Sequence, residues 1–386
     1  MTSEKFKLLM INYEFPPIGG GAGKANLCLL NEFASSDLFE IDVLTSKPEP
    51  GLSIEKFADN ITIYKVGIHK KDLHFWRRIE VLEWLFKAAI QRRKMLRANS
   101  YDLCHVFFGF PTGPLALPSA GKLPYIVSLR GSDVPGQNAR MALEYKVLGP
   151  LFKAVWKKAS QLVACSGGLR QRALRFMPNS DISVIPNGID CERFNPSLRT
   201  VKGDKIRLLT AGRLSATKRI DMLIDAIAIM VADGIDVELT IAGGGALGDS
   251  LKRKISDEGL CDRVKMVGRI EPDKMPALYA DSDIFISASF QEGMSNAMLE
   301  AMASSLAIVT TRCEGVDELI DSSGIIVEDD TAADIASAVT SLINDPGQLA
   351  KMSQRAVKIA ETFSWKSVAD QYFEEYRSVL ALSGGD

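Results

Sequence analysis

The stretch Ile284-Phe285-Ile286-Ser287-Ala288-Ser289-Phe290-Gln291-Glu292-Gly293-Met294-Ser295-Asn296-Ala297-Met298-Leu299-Glu300-Ala301-Met302-Ala303 decides the architecture. Ile284 to Ala288 is an apolar run of strand length. Gly293 suits a tight turn, Ser295 or Asn296 can cap, and Ala297 to Ala303 are good helix formers. A strand that passes straight into a helix is the repeating half of a parallel α/β sheet. Glu292 then belongs to the loop and Glu300 to the helix. At a rise of about 1.5 Å per residue the two carboxylates lie on the order of 10 Å apart along the axis, with free backbone N–H groups between them. That shape suits an extended, polyhydroxylated, anionic ligand, and an ordinary surface helix carrying two acids fits the same spacing.

Outward from this stretch, short β-rich apolar runs alternate with helical segments along the whole chain. Strands are expected at Lys7 to Ile11, Ile41 to Leu44, Ile61 to Lys65, Leu103 to Phe107, Tyr125 to Leu129, Gln161 to Cys165 and Ile182 to Ile185. In the second half they are expected at Ile206 to Thr210, Val237 to Ile241, Arg263 to Val267, Asp283 to Ser287, Ala307 to Thr310 and Ile325 to Val327. The expectation is a parallel sheet covered on both faces, twice over, with Asn187-Gly188 as the hinge. Ligands of such sheets bind at the carboxyl ends of the strands.

The 386 residues, 46% hydrophobic and 24% charged, suffice for two ordinary cores. No apolar run reaches the ~18 residues of a spanning helix, and Met1-Thr2-Ser3-Glu4-Lys5 lacks a signal peptide's order, so a cytoplasmic protein is expected. Six cysteines without C-x-x-C and three histidines give neither a disulfide framework nor a structural zinc site. The formal charge of −2 hides a split: residues 1 to 190 carry 25 Lys+Arg against 17 Asp+Glu, and the remainder 21 against 31. Residues 67–97 hold nine basic and three acidic residues interleaved with Phe75, Trp76, Trp84 and Phe86, and residues 140–158 hold five basic, one acidic and Trp156. Basic helices with aromatic apolar faces fit an anionic membrane surface, or else are core helices with solvated basic faces. No nucleic-acid motif accompanies the charge.

Five motifs in order resemble the retaining glycosyltransferases of the GT-B fold, the group-1 or family 4 type. They are Phe15-Pro16-Pro17-Ile18-Gly19-Gly20-Gly21-Ala22-Gly23 after the first strand; Ile185-Pro186-Asn187-Gly188-Ile189-Asp190; Ala211-Gly212-Arg213-Leu214 with Lys218; the Glu-x7-Glu pair Glu292 and Glu300; and Phe363-Ser364-Trp365 opening the last helix. The resemblance implies two doubly wound Rossmann-like domains facing a central cleft. Residues 1–190 would be the acceptor-side domain, 191–365 the nucleotide-sugar domain, and the helix 366–386 would cross back to the first domain. It implies transfer of a hexose-type sugar from a nucleotide diphosphate sugar to a glycan or lipid-linked acceptor in cell-surface glycan synthesis, without metal or other cofactor; the residues do not read out the donor base, for which UDP is the choice favoured here.

A diphosphate leaving group needs cations, and Arg213 and Lys218 stand in a strand-to-helix loop where a guanidinium fork and a point charge can reach it. Each also reads as an exposed loop or helix-start residue. Backbone N–H groups at Gly293-Met294-Ser295 add the helix-terminus contribution. In the family the residue matching Glu300 holds the ribose and the one matching Glu292 sits by the donor sugar, where a carboxylate meets oxocarbenium charge. Gly19 and Gly20 allow close backbone approach to the donor, and Arg269 completes the donor-binding candidates. Ser128-Leu129-Arg130-Gly131-Ser132-Asp133 matches the family's His-Gly-x-Asp segment except that Arg130 replaces the histidine. Asp133 can orient Arg130 or a donor hydroxyl, or cap the next helix. Asp281-Ser282-Asp283 looks like a metal-binding D-x-D but precedes a strand, and Gly243-Gly244-Gly245 completes no dinucleotide fingerprint. A nucleotide-sugar 2-epimerase and a catalytically silent nucleotide-sugar binding module are the alternatives.

Overall fold

A computed structural model describes residues 5–34, 36–73, 75–136, 142–198 and 205–383. Residues 1–4, His74, residues 140 and 141, and residues 384–386 of the expected last helix, which the sequence readings above include, lie outside the described residues. The chain divides into two compact units, Met1–Asn187 with Trp365–Asp386, and Gly188–Ser364.

The first unit is built on β1 (Phe6–Ile11), β2 (Phe39–Lys47), β3 (Leu52–Ala58), β4 (Ile61–Gly67), β5 (Leu103–Phe107), β6 (Tyr125–Leu129), β7 (Gln161–Ala164) and β8 (Ile182–Val184). They form one sheet in the order β3-β4-β2-β1-β5-β6-β7-β8. Every residue of β5 and β6 is buried, as a strand covered on both faces requires. The expectation of wholly parallel pairing is corrected at one edge, where β3 runs antiparallel to β4. Leu52–Ala58 mixes polar and apolar residues without a regular period and is mostly exposed, so it lacks the continuous apolar run that marked the other strands.

The helix Trp365–Ser383 belongs to this unit. Its Tyr376 packs against Phe33 and Phe39 and hydrogen-bonds Nδ1 of His105 at 2.7 Å, while Tyr372 meets the Ser128 hydroxyl at 2.8 Å. His105 reaches Ser128 through Nε2 at 2.7 Å. Burial, helped by the Arg130 charge, pulls the His105 pKa down to about 3. The ring is therefore neutral, and its single N–H and single lone pair are matched by two hydroxyls.

The second unit contains β9 (Ile206–Ala211), β10 (Val237–Ala242), β11 (Val264–Gly268), β12 (Ile284–Ser287), β13 (Ala307–Thr311) and β14 (Gly324–Val327). Their order is β11-β10-β9-β12-β13-β14 with every pair parallel. Counted within the unit this is 3-2-1-4-5-6, so the winding reverses between β9 and β12 and opens a crevice at their carboxyl ends. Leu208, Ile224, Ile227, Leu239, Ile286 and Val309 are among the buried residues that hold the sheet to its helices. Each such side chain contributes about 1.5–3 kcal/mol by leaving water.

Candidate active site

Both loops that leave the β9/β12 reversal carry charged groups. After β9 the chain runs through Gly212, Arg213 and Leu214 to the short helical turn Ala216–Lys218. After β12 it runs through Phe290 and Glu292 into the helix Asn296–Ala303. The Lys218 ammonium hydrogen-bonds Oε1 of Glu292 across this gap, with both side chains mostly buried. Phe290 N–H donates to the Thr217 carbonyl at 2.9 Å, so backbone also joins the two loops.

Glycines permit the loop after β9 to lie against the loop after β10. A Cβ at Gly243 would stand 1.8 Å from the Gly212 carbonyl oxygen, and one at Gly245 would stand 2.3 Å from that of Leu214. Leu214 N–H in turn donates to the Gly244 carbonyl at 3.1 Å. Gly243 and Gly245 are thus required by backbone contact. Arg269, just past β11, is exposed and lies over Gly244, with Nε 3.0 Å from where a Cβ would be. Arg213 is exposed and makes no hydrogen bond or ion pair with another described residue. The strand ends of β9 and β11 therefore present Arg213, Lys218 and Arg269, with the glycine loop after β10 between them.

Ser295 is the cap of the helix Asn296–Ala303, its hydroxyl accepting from Met298 N–H at 3.3 Å; Met294 is buried and Gly293 half-buried in the preceding turn. Glu300, half-buried on this helix, accepts from the Tyr279 hydroxyl at 3.0 Å. Tyr279 is fully buried against Phe194 and Phe285, and burial followed by the Glu300 charge raises its pKa well above the ordinary value. The two glutamates thus have different partners, one an ammonium and the other a neutral phenol. Sequence reasoning missed Tyr279, which precedes the site by 21 residues inside an unremarkable apolar segment.

In the first unit the winding reverses between β1 and β5. Gly19 lies at φ +98°, and a Cβ there would stand 2.6 Å from the Glu14 side chain. Gly20 N–H donates to Oε2 of Glu14 at 3.1 Å. The close approach that Gly19 allows in this structure is to Glu14, a residue the sequence reading passed over. Asp133 is buried after β6, with Oδ1 accepting from Arg130 and Gly131 N–H at 2.8 and 3.0 Å and Oδ2 from Gly109 N–H at 2.6 Å. Burial raises its pKa and these backbone donors oppose the rise. Asp133 therefore binds loop backbone rather than the Arg130 guanidinium, which instead donates to Oδ1 of Asn187 at 2.6 Å.

The fold, with two parallel-sheet Rossmann-like units, is that of the GT-B class. Residues 19–193 match the family described as Glycosyltransferase Family 4, and residues 205–345 match Glycosyl transferases group 1. The chain belongs to this group-1, family 4 glycosyltransferase family. It is 24% identical over 401 aligned positions to an uncharacterized glycosyltransferase of Methanocaldococcus jannaschii, covering 98% of this chain and 100% of that protein. A D-inositol 3-phosphate glycosyltransferase of Paenarthrobacter aurescens is 30% identical over 213 residues, 52% of either chain, so the match spans about half of that relative. Among solved structures, sucrose-phosphate synthase from Thermosynechococcus elongatus superposes with a TM-score of 0.82 at 19% identity over 98% of this chain and 100% of that one. Anabaena HepE in complex with UDP-glucose gives 0.71 at 21% identity over 96% and 99%.

Proposed function

We propose that the protein is a retaining, metal-independent hexosyltransferase that takes a hexose-type sugar from a nucleotide diphosphate sugar, UDP preferred, to a glycan or lipid-linked acceptor. The Lys218–Glu292 ion pair at the β9/β12 reversal carries this reading. A diphosphate bound there competes with Glu292 for the Lys218 ammonium, and Arg213 adds a guanidinium fork. Their positive charge offsets the charge that develops on the leaving diphosphate as the glycosidic bond breaks. Glu292, released from Lys218, is then placed to face the oxocarbenium charge of the donor sugar. Glu300, its rotamer fixed by Tyr279, is suited to accept from vicinal ribose hydroxyls. Retention follows the family's Glu-x7-Glu pair.

A lipid-linked acceptor is supported by the helix Arg78–Ala98. Ile79, Leu82 and Phe86 are 72%, 62% and 70% exposed, and with Ile90 they follow a 3- and 4-residue spacing that puts them on one stripe. The stripe continues into exposed Arg93 and Arg97, and Lys94 is exposed beside it. Trp84 and Trp156, by contrast, are core residues, so the aromatic content of the basic stretches is only partly surface. No described helix is long and apolar enough to cross a membrane. The stripe fits an anionic bilayer surface, its apolar residues entering the headgroup boundary and its cations meeting lipid charge. On this reading the reaction runs at the cytoplasmic face of a membrane, in polysaccharide synthesis.

Thermal shifts with UDP-, GDP- and ADP-glucose, followed by donor-cleavage assays without acceptor, test the donor reading. A bound donor at a hundred times its dissociation constant adds about 2.7 kcal/mol. The expected result is one stabilising nucleotide with slow sugar release. Stabilisation without cleavage, with or without acceptor, would mark a silent binding module; an epimerised free nucleotide sugar would mark an epimerase.

A further inference from the structure

Arg219, directly after Lys218, ties together four strand-end loops of the second unit. Its guanidinium donates through Nη1 and Nη2 to the two carboxylate oxygens of Asp330, both at 2.6 Å, and through Nη2 to Oγ1 of Thr311 at 3.2 Å. Its Nε donates to the Ala288 carbonyl at 2.6 Å, and its Cζ lies 5.7 Å from the Phe290 ring centroid. Thr311 Oγ1 donates to the Ser289 carbonyl at 3.1 Å. Arg219 follows β9, Ala288 and Ser289 follow β12, Thr311 ends β13 and Asp330 follows β14. The backbone of Arg219 sits at φ +45°, in the left-handed region that side-chain-bearing residues seldom occupy. A strained arginine held by four hydrogen bonds at a ligand crevice is a site under constraint.

We propose that Arg219 is a positioning residue of the donor site. Its fork on Asp330 and its bond to Ala288 fix the turn that carries Lys218 against the loop that carries Glu292. The ammonium and the carboxylate then meet the donor already oriented. This rests on the donor-site reading of Lys218 and Glu292 given above. Lysine at this position keeps the charge and loses the fork, whereas glycine adopts φ +45° without strain and loses the side chain.

The test uses the full-length protein with Arg219→Gly, Arg219→Lys and Asp330→Asn. One readout is independent of activity: acetylation of Lys218 by an N-hydroxysuccinimide ester, read by peptide mass spectrometry against exposed Lys252 as internal reference. The other is cleavage of UDP-glucose. We expect Arg219→Gly to raise Lys218 labelling about fivefold, and Arg219→Gly and Arg219→Lys each to lower kcat about 30-fold with KM moving less than about threefold. Asp330→Asn, which keeps one acceptor, should shift both readouts in the same direction by less, and it serves if Arg219→Gly does not fold. Labelling and kcat both within about twofold of an active wild type would overturn the inference. A wild type that cleaves no donor while Arg219→Gly still unmasks Lys218 would defeat the proposed function and leave the positioning of the pair standing.

Discussion

Lys218 and Glu292, 74 residues apart in sequence, are joined by an ion pair that spans the strand reversal of the second unit. Each group compensates the other's charge in a mostly buried setting, and on the donor-site reading a bound diphosphate would compete for the ammonium. Glu300 instead accepts from the neutral Tyr279 hydroxyl.

The two glutamates should therefore separate kinetically. Glu300→Gln should weaken nucleotide binding by roughly 1–3 kcal/mol while leaving turnover of saturated enzyme nearly intact, and Tyr279→Phe should give a smaller loss in the same direction. Glu292→Gln should do the reverse. Calorimetric UDP affinities set beside kcat for each variant decide this, and matching profiles for Glu292→Gln and Glu300→Gln would reject the division of roles.

Glycine substitutions should sort by what a Cβ would meet. Gly243→Ala places a methyl 1.8 Å from a carbonyl oxygen at φ +141°, so it should displace the Arg213 loop and cost several kcal/mol, as severe overpacking does. Gly20→Ala meets nothing within 4 Å and should stay within about 1 kcal/mol of wild type. Urea midpoints measure both; equal losses would contradict the contact geometry.

His105 should leave a signature in the pH dependence of stability. Folding holds its pKa at about 3 against an ordinary 6.5, so the unfolded chain binds a proton that the folded chain refuses. Its contribution is complete above pH 6.5 and is lost as pH falls toward 3, at up to about 1.4 kcal/mol per pH unit. Denaturant unfolding between neutral and mildly acid pH should therefore show a shallower decline for His105→Gln than for wild type. Parallel declines would mean that another group governs the acid limb.

Most of this fold was legible because buried parallel strands write themselves as apolar runs, and the Ser295 cap and the Glu292 loop followed from turn chemistry. What escaped was of two kinds. β3 carries an edge strand's mixed pattern, Leu-Ser-Ile-Glu-Lys-Phe-Ala, which does not differ from a loop by periodicity. Glu14, Tyr279, Arg219 and Asp330 acquire their roles only through contacts that the topology creates. The Arg219–Asp330 pair bridges 111 residues, and nothing local marks either member. The Arg130 reading turned in the same way on a distant partner, Asn187.

The exposed stripe on the helix Arg78–Ala98 should make vesicle binding depend on both lipid charge and apolar side chains. Binding should need anionic headgroups and fade with added salt, since surface charges are screened over about 8 Å at physiological ionic strength. Phe86→Asp should abolish it at any salt without loss of thermal stability, because the side chain is 70% exposed. Equal partition of wild type and Phe86→Asp in a flotation assay would remove this surface from the account.

Turnover of the Lys218→Ala variant tests the role of the ion pair most directly. If the ammonium meets charge on the departing diphosphate, kcat for donor cleavage should fall by on the order of 2–4 kcal/mol of transition-state stabilisation, roughly 30- to 1,000-fold, with an unchanged circular dichroism spectrum. A kcat within about twofold of wild type would show that Lys218 serves only to hold Glu292, and the assignment of this crevice as the site of sugar transfer would fall.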